Sequence, residues 1–507
     1  MSDLKSKILP KLWRFDLKTI FLMAFFLLLF LLGIFAFLVE QKYGLLVTGM
    51  RTIGLGGSAW GVYIVFDIYF VGISFAGIVT SALIRLFNLK ILKPLARMAE
   101  LLAVISLLIS TFCIFADVGR PLHALVYLPL FARPMSPFFG DFTLIAGAYF
   151  FASAIYLWLA GRSDAAYCAS QNLPFRWFYK IWACGYKGTA AEQTRHYKTS
   201  FWMALAILPL LVTAHSTLGF IFGIQGGRPG WFSDLQAPEF VVMAGVSGVG
   251  MLIIIAAILR KWLGLEEEIK LEAFKWLGNF LWVLTATYIY FMIIDDLTSF
   301  YASPKIDTLV ALRTLFGPYG GLYWTTVSSL FAAFGILFLQ FAFNKWSIGL
   351  TVIAGFLVNV AAILKRFIII VPSQVFGTLL PYPQGFYKPT WVEISIIIGT
   401  GAFGIFLYVL FLKIFPIVPL EEITIEKEKI LEPGPRSFFR KLAFSSVFLT
   451  GILICVITFL SSARFGTKPY LDPIIPFSPL LFIVGIFITF FSAAVYEIVP
   501  SVKKSDL

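Results

Sequence analysis

The sequence predicts an all-α integral membrane protein of about twelve transmembrane helices, arranged as two four-helix bundles with flanking helices. Three observations lead there. Of the 507 residues, 59% are hydrophobic and 13% charged, and the mean hydropathy is +0.89, a balance that excludes a soluble globule. Apolar runs of about 20 residues, the length a hydrocarbon core of about 30 Å demands of a helix, recur along the whole chain. Strand-like alternation is missing, so helices rather than a closed barrel must satisfy the backbone.

Residues 1–58 make an N-terminal tail and the first flanking helix. Lys5, Lys7, Lys11, Arg14 and Lys18 precede the apolar run 19–39, which lacks a small-residue cleavage site and reads as a retained anchor. The runs 59–84, 98–116, 141–161 and 200–223 build the first bundle, residues 59–223. The runs 238–260, 276–300, 320–343 and 348–366 build the second, residues 238–371. A flanking helix follows at 391–413, then a charged, proline-containing cytoplasmic loop at 414–440, then two extra helices, 441–461 and 479–498, within 441–507. The other long polar stretch, 162–199, reads as a cytoplasmic loop. Lys and Arg concentrate in the N-terminal tail and in the connections on its side of the membrane. The positive-inside rule then places both termini in the cytoplasm of a prokaryotic cell, the protein crossing the inner membrane many times. The net charge of +13 is therefore an orientation signal, and no nucleic-acid partner is implied.

Cysteines and histidines limit the redox chemistry. Cys113, Cys168, Cys184 and Cys455 are scattered, whereas an iron–sulfur cluster takes grouped thiolates. Of the three histidines, His196 lies on the cytoplasmic side, leaving His123 and His215 as the one pair that could ligate a haem. Neither haem nor iron–sulfur cluster is expected in this chain. Gly399-Thr-Gly401-Ala-Phe-Gly404 matches a dinucleotide fingerprint in letters only, because it sits inside an apolar helix with no strand before it. Small residues that let helices approach closely are the better explanation.

Charges inside membrane helices are costly and mark function by default. Asp67 sits roughly 10 Å below the outer surface and His215 roughly 12 Å, at 1.5 Å per residue. Asp117, Asp141, Asp295, Asp296, Arg366 and Glu393 fall near outer helix ends. Trp60, Asp67 and Ser74 share one helix face; Thr285, Tyr288, Met292, Asp295 and Ser299 share another; Asn359 and Arg366 share a third. A single helix-end charge often only snorkels or pairs, but convergence on one leaflet points to a polar pocket opening outward. The segment 117–141, DVGRPLHALVYLPLFARPMSPFFGD, contributes Asp117, Arg120, His123, Arg133 and Asp141 to that side, and its prolines suggest an extended, stiff connection. A weak repeat relates Gly72-Ile-Ser-Phe-Ala-Gly77 to Gly245-Val-Ser-Gly-Val-Gly250, each followed by an aspartate at the outer end of the next helix. Both helices run inward, so the two bundles read as parallel copies.

Several of these stretches resemble the NrfD family, the membrane subunits of polysulfide reductase-like quinone oxidoreductases, and in particular its longer branch with DsrP-like and hydrogenase-2 membrane subunits. The resemblance rests on WGVYIVFD at 60–67, DVGRP at 117–121, RPMSPFFGD at 133–141, AHSTLGFIFGIQGGRPGW at 214–231, APEF at 237–240 and PTWVEI at 389–394. It implies two four-helix bundles, quinone or menaquinone as bound substrate, and a ferredoxin-like iron–sulfur subunit docked on the outer face beside further catalytic or cytochrome subunits. Many relatives carry Glu where Asp295-Asp296 stands here, His123 has no family counterpart, and the last two helices have none either. The residue chemistry suits quinol oxidation, which needs a base near each hydroxyl. His215 cycles near neutral pH and Asp67 can take a second proton. Trp60, Asp117, Arg120, His123, Asp141, Arg228, Asp295, Arg366 and Glu393 are the candidate quinone-binding residues. Proton translocation past Glu100, Asn279 and Asn359 is an extension of this expectation. A secondary transporter or ion channel is the competing class, because twelve helices with a repeat suit it as well.

Overall fold

The computed structural model describes residues 2–50, 58–131, 145, 147–301, 304–375, 385–420, 436–462 and 478–498. The described residues form helices and no strand. In chain order these are α1 (Ser2–Ile8), α2 (Leu17–Tyr43), α3 (Val62–Leu86), α4 (Ala96–Val118), α5 (Pro121–Phe131), α6 (Phe150–Ser170), α7 (Arg176–Ala183), α8 (Ala190–Gly223), α9 (Gln236–Leu263), α10 (Leu271–Tyr301), α11 (Lys305–Phe316), α12 (Gly320–Ala342), α13 (Ile348–Val375), α14 (Trp391–Ile414), α15 (Arg436–Ser462) and α16 (Ser478–Ile498). Among the described residues, eleven spans are long and apolar enough to cross a membrane. The remaining expected span is α6, whose second half carries Arg162 and Asp164. The protein is an all-α integral membrane protein, and among the described residues each expected apolar run falls largely within a helix of its own.

Two local expectations need correction. The stretch 162–199 is mostly helical rather than a loop: α6 continues to Ser170, α7 follows, and α8 begins at Ala190. The charges that read as solvent-facing are buried and paired, Arg97 to Asp164 at 2.5 Å and Arg162 to Glu497 at 2.6 Å. Thr189 and Glu192 start α8 with a capping box, which satisfies two otherwise orphaned N–H groups. The proline-rich segment after Asp117 is not extended where it is described. Gly119 ends α4 in the left-handed region (φ 70°), and α5 then starts on Pro121, where a missing N–H costs no hydrogen bond. Residues 132–144, with Arg133 and Asp141, lie outside the described residues.

Helix α3 packs against α4 and α8, and α6 closes against both. Helix α9 packs against α10 and α13, and α12 against the same two. The groups meet along α3, α8, α9 and α13. Small residues set that seam. A Cβ on Gly248 would lie 2.4 Å from the Ala76 Cβ, and one on Gly250 would lie 2.9 Å from the Gly355 carbonyl oxygen. The two repeated glycine segments of α3 and α9 therefore lie against each other. The same logic accounts for the discarded fingerprint: a Cβ on Gly399 would meet the Gly33 Cα at 2.6 Å, and one on Gly404 the Ile109 side chain at 2.1 Å. Those glycines bring α14 against α2 and α4 and build no nucleotide loop.

The N-terminal residues fold back as a strap. Lys7 pairs with Glu267 at 2.8 Å, Lys11 donates to the Leu263 carbonyl at 2.6 Å, and the Trp13 amide donates to the Lys413 carbonyl at 2.6 Å. The Trp13 indole donates to the Tyr179 hydroxyl at 2.9 Å. The strap thus joins the α9–α10 connection, α14 and α7 on one face, called here the near face. At the other end of the sequence, α15 and α16 form a hairpin, and α16 packs on α5, α6 and α8.

Candidate functional site

Most of the expected site residues gather at the opposite, far face, where α3 begins, α4 ends, α9 begins, α10 and α13 end and α14 begins. Glu393 is in the first turn of α14 and fully buried. Its carboxylate accepts from the amides of Gly49 (2.7 Å) and Thr390 (2.8 Å) and from the Tyr387 hydroxyl (2.5 Å). It therefore closes a capping box and ties α14 to the segment following α2. Burial, and then the Glu393 carboxylate, push the Tyr387 phenol above its ordinary range. Asp117 is buried in the last turn of α4, within electrostatic reach of Tyr387. Arg120 and His123 are exposed, and His123 stacks on Tyr127 with centroids 6.1 Å apart. Asp141 lies outside the described residues.

An aromatic group lies beneath these residues. Trp60 stacks on Trp231 at 5.8 Å and meets Phe222 edge-on at 5.9 Å, and Phe222 lies 5.6 Å from Phe240. The Arg228 guanidinium covers Trp231 at 5.6 Å. The backbone positions Trp60 as well, since its amide donates to Gln374 on α13 at 3.0 Å. Helices α8, α9 and α13, with the segments before α3 and before α9, thus hold the rings in register, which neighbouring positions in the sequence do not reveal.

Asp67 and His215 are both fully enclosed between α3, α4 and α8. Ser110 donates to the Asp67 carboxylate at 2.5 Å. One turn further along α3, the Val71 carbonyl lies 3.1 Å from His215 Nε2, while Nδ1 lies 2.9 Å from the Leu211 carbonyl. Carbonyls only accept, and a neutral imidazole has one N–H. Either nitrogen can therefore carry that hydrogen, and a ring that gains a second finds an acceptor waiting. Phe75 packs edge-on against the imidazole at 4.6 Å, and Tyr149 lies 6.1 Å away.

The third group joins Glu239 of α9, Tyr288, Asp295 and Asp296 of α10, and Lys365 and Arg366 of α13. Glu239 and Arg366 are 1% and 3% exposed, and Tyr288 is fully buried. Both Glu239 carboxylate oxygens, the Tyr288 hydroxyl and Arg366 Nη1 have no hydrogen-bond partner among the described residues. These groups lie in one another's electrostatic field, and Arg366 is also felt by His215. The guanidinium sits 3.9 Å over the Phe240 ring, a cation–π contact that fixes its plane. Asp295 accepts from Ser233 at 2.9 Å and Asp296 from Tyr323 at 2.5 Å. Sequence reasoning missed Glu239 and Lys365 as site residues. For Lys365 a signal was present: two adjacent cations in the middle of an apolar helix. Glu239 stands in the APEF stretch of the resemblance, but only packing against α10 and α13 buries it.

An uncompensated buried charge or hydroxyl is expensive. A ligand carrying both hydrogen-bond acceptors and hydroxyl donors would satisfy the Arg366, Tyr288 and Glu239 groups together, and the headgroup of a quinone or quinol has that chemistry. Among the described residues, no three His, Cys, Asp or Glu side chains come together as a metal-ligand set.

Comparison with known proteins follows the same lines. A family model described as "Polysulphide reductase, NrfD" matches residues 55–378. The chain is 33% identical over 231 residues to a Halobacterium salinarum protein described, provisionally, as a membrane subunit of dimethyl sulfoxide reductase, covering 45% of this chain and 49% of that protein. It is 25% identical over 404 residues to a subunit of the selenate reductase of Mesobacillus selenatarsenatis, covering 75% and 91% of the two chains. It is 24% identical over 416 residues to the Hdr-like menaquinol oxidoreductase integral membrane subunit of Archaeoglobus fulgidus, covering 78% and 93%.

Proposed function

Because the chain belongs to the NrfD polysulphide reductase family, we propose that it is the quinone-handling membrane subunit of a respiratory oxidoreductase. In this reading it exchanges electrons between membrane quinol and an iron–sulfur partner docked on the far face, which the distribution of Lys and Arg makes the outer one. The two relatives covered almost end to end are named as subunits of a selenate reductase and of a menaquinol oxidoreductase. One observation carries the placement of the chemistry: Glu239, Tyr288 and Arg366 keep buried polar atoms without a partner among the described residues.

A bound quinol supplies two electrons and two protons as it becomes quinone. The protein's own residues do the rest. Arg366 and Tyr288 donate hydrogen bonds to a headgroup oxygen, and Glu239 accepts a hydroxyl proton. Phe222, Trp231, Phe240 and Trp60 wall the site against water, and Arg366 is held flat on Phe240. His215, whose two nitrogens face carbonyl acceptors, and Asp67, held by Ser110, receive the second proton.

Proton movement across the membrane is part of the same reading. From His215, the hydroxyls of Tyr149, just before α6, and of Ser153 and Tyr156 within it form a buried row, with Ser74 and Ser153 beside the Tyr149 hydroxyl and Ser81 beside that of Tyr156. Bridging waters serve such groups. The row ends at Glu100, which Ser81 and Arg85 both contact.

The deciding experiment is quinol-driven reduction of the partner's iron–sulfur clusters in the purified complex. Glu239→Gln is expected to slow it at least tenfold. A wild-type rate in both Glu239→Gln and Arg366→Met would remove the site assignment, and solute uptake by this chain alone in liposomes would favour a transporter.

A further inference from the structure

The last helix brings a carboxylate to the near end of that hydroxyl row. Glu497 of α16 lies beyond the span of the family match and is 4% exposed. Its Oε1 accepts from Arg162 Nη1 at 2.6 Å and lies 2.8 Å from His196 Nδ1, while Oε2 is buried with no partner among the described residues. Arg162 is held from the other side by the Ala183 and Cys184 carbonyls, each at 3.1 Å. Arg85 lies in the field of Glu497, pairs with Glu100 and stacks on the Tyr156 ring at 4.8 Å. The ring of Tyr186 lies 6.0 Å from that of His196. Glu497, His196, Arg162, Glu100 and Tyr156 thus form one buried group at the near face, with Arg85 partly exposed at its edge.

A purely mechanical lock between the C-terminal hairpin and α6 needs Arg162 and Glu497 alone. The histidine on the same carboxylate oxygen adds a ring whose two nitrogens can take up and give up a proton. The free Glu497 oxygen is a second place to hold one. Exposed Tyr197 and Lys187 lie beside this group in the chain, so water stands close to it.

We propose that Glu497 and His196 form the near-face terminus of the proton path, so that the C-terminal hairpin carries a coupling residue. This rests on the quinone reading above. In quinone reduction, two electrons come from the iron–sulfur partner and two protons enter from near-face water. Each protonates His196 or Glu497 and is passed toward Glu100, with only N–H and O–H bonds made and broken. In quinol oxidation the same protons leave by the reverse course.

The test uses the whole complex in sealed, oriented membrane vesicles with a soluble quinol analogue, an electron acceptor for the partner and a pH dye on the near side. Glu497→Gln preserves the side chain's size and its acceptor for Arg162. It is expected to cut near-side proton movement at least tenfold, with Glu497→Asp restoring much of it and the melting temperature of the Gln variant unchanged. His196→Gln, which leaves the Arg162 contact intact, is expected to give a similar loss. Wild-type proton movement in both Gln variants overturns the inference. Electron transfer without near-side proton movement in the wild type removes the coupling reading as well, and absence of quinol-driven electron transfer removes the quinone reading itself.

Discussion

Single residues divide according to how completely their polar atoms are used. Glu393 spends its carboxylate on two amides and a phenol, so its role is to hold α14 in place. Glu393→Ala is expected to destabilise the protein by about 1–3 kcal/mol, the cost of orphaned buried donors, readable as a lower melting temperature in detergent. Asp67 and His215 are enclosed on all sides, and the proposed mechanism gives them a proton to carry. Asp67→Asn and His215→Ala are each expected to slow quinol oxidation by the complex at least tenfold while the protein still extracts as a folded subunit. Arg366→Lys keeps the charge but loses the flat contact with Phe240. The two cations are not interchangeable at a stacked site, and a several-fold loss in the same assay is expected. Asp67, His215 and Arg366 were legible because an ionisable residue within an apolar run stands out. Glu239 was passed over although it stands in the APEF stretch, because its burial comes from α10 and α13, far away in sequence.

Helices were the most legible level. Among the described residues each apolar run is largely a helix, since length and composition fix what can cross a bilayer. The short helices α5, α7 and α11 were missed: none is long enough to leave such a signature, and their charges and prolines read as loops. The near-face, C-terminal part of α6 was missed for a related reason, because Arg162 and Asp164 are neutralised by partners far away in sequence. Glycine spacing was legible as close approach, and the structure supplies the partners. Gly248→Leu would force Ala76 and the Ile73 carbonyl away from α9. Overpacking of this kind typically costs about 1–3 kcal/mol, so a reduced yield of intact subunit on size-exclusion chromatography is expected, with Gly321→Ala, where a Cβ meets nothing within 4 Å, as the tolerated control.

Across the molecule, ionisable groups segregate to two ends. The far end holds Glu393, Asp117 and the Arg366 group, and the near end holds Arg85, Glu100, Arg162, His196 and Glu497. Between them lie mainly apolar packing and the hydroxyl row of α6. The near end is also where the strap crosses from α7 to α14 and the α9–α10 connection. Its ion pair is partly exposed, and such pairs contribute little singly. Its backbone and indole contacts are the larger part, so removal of residues 2–14 is expected to lower the melting temperature by a few degrees without abolishing quinol oxidation.

The strap has one more consequence, in time rather than space. Its partners are Tyr179, Leu263, Glu267 and Lys413, so residues 7–13 leave the ribosome well before the groups they bind. Until α14 has been threaded into the bilayer, Trp13 has no carbonyl to bind. The strap therefore waits while these helices are made and then fastens, and a ribosome-bound intermediate stopped before residue 413 should leave it open to protease while the folded protein protects it.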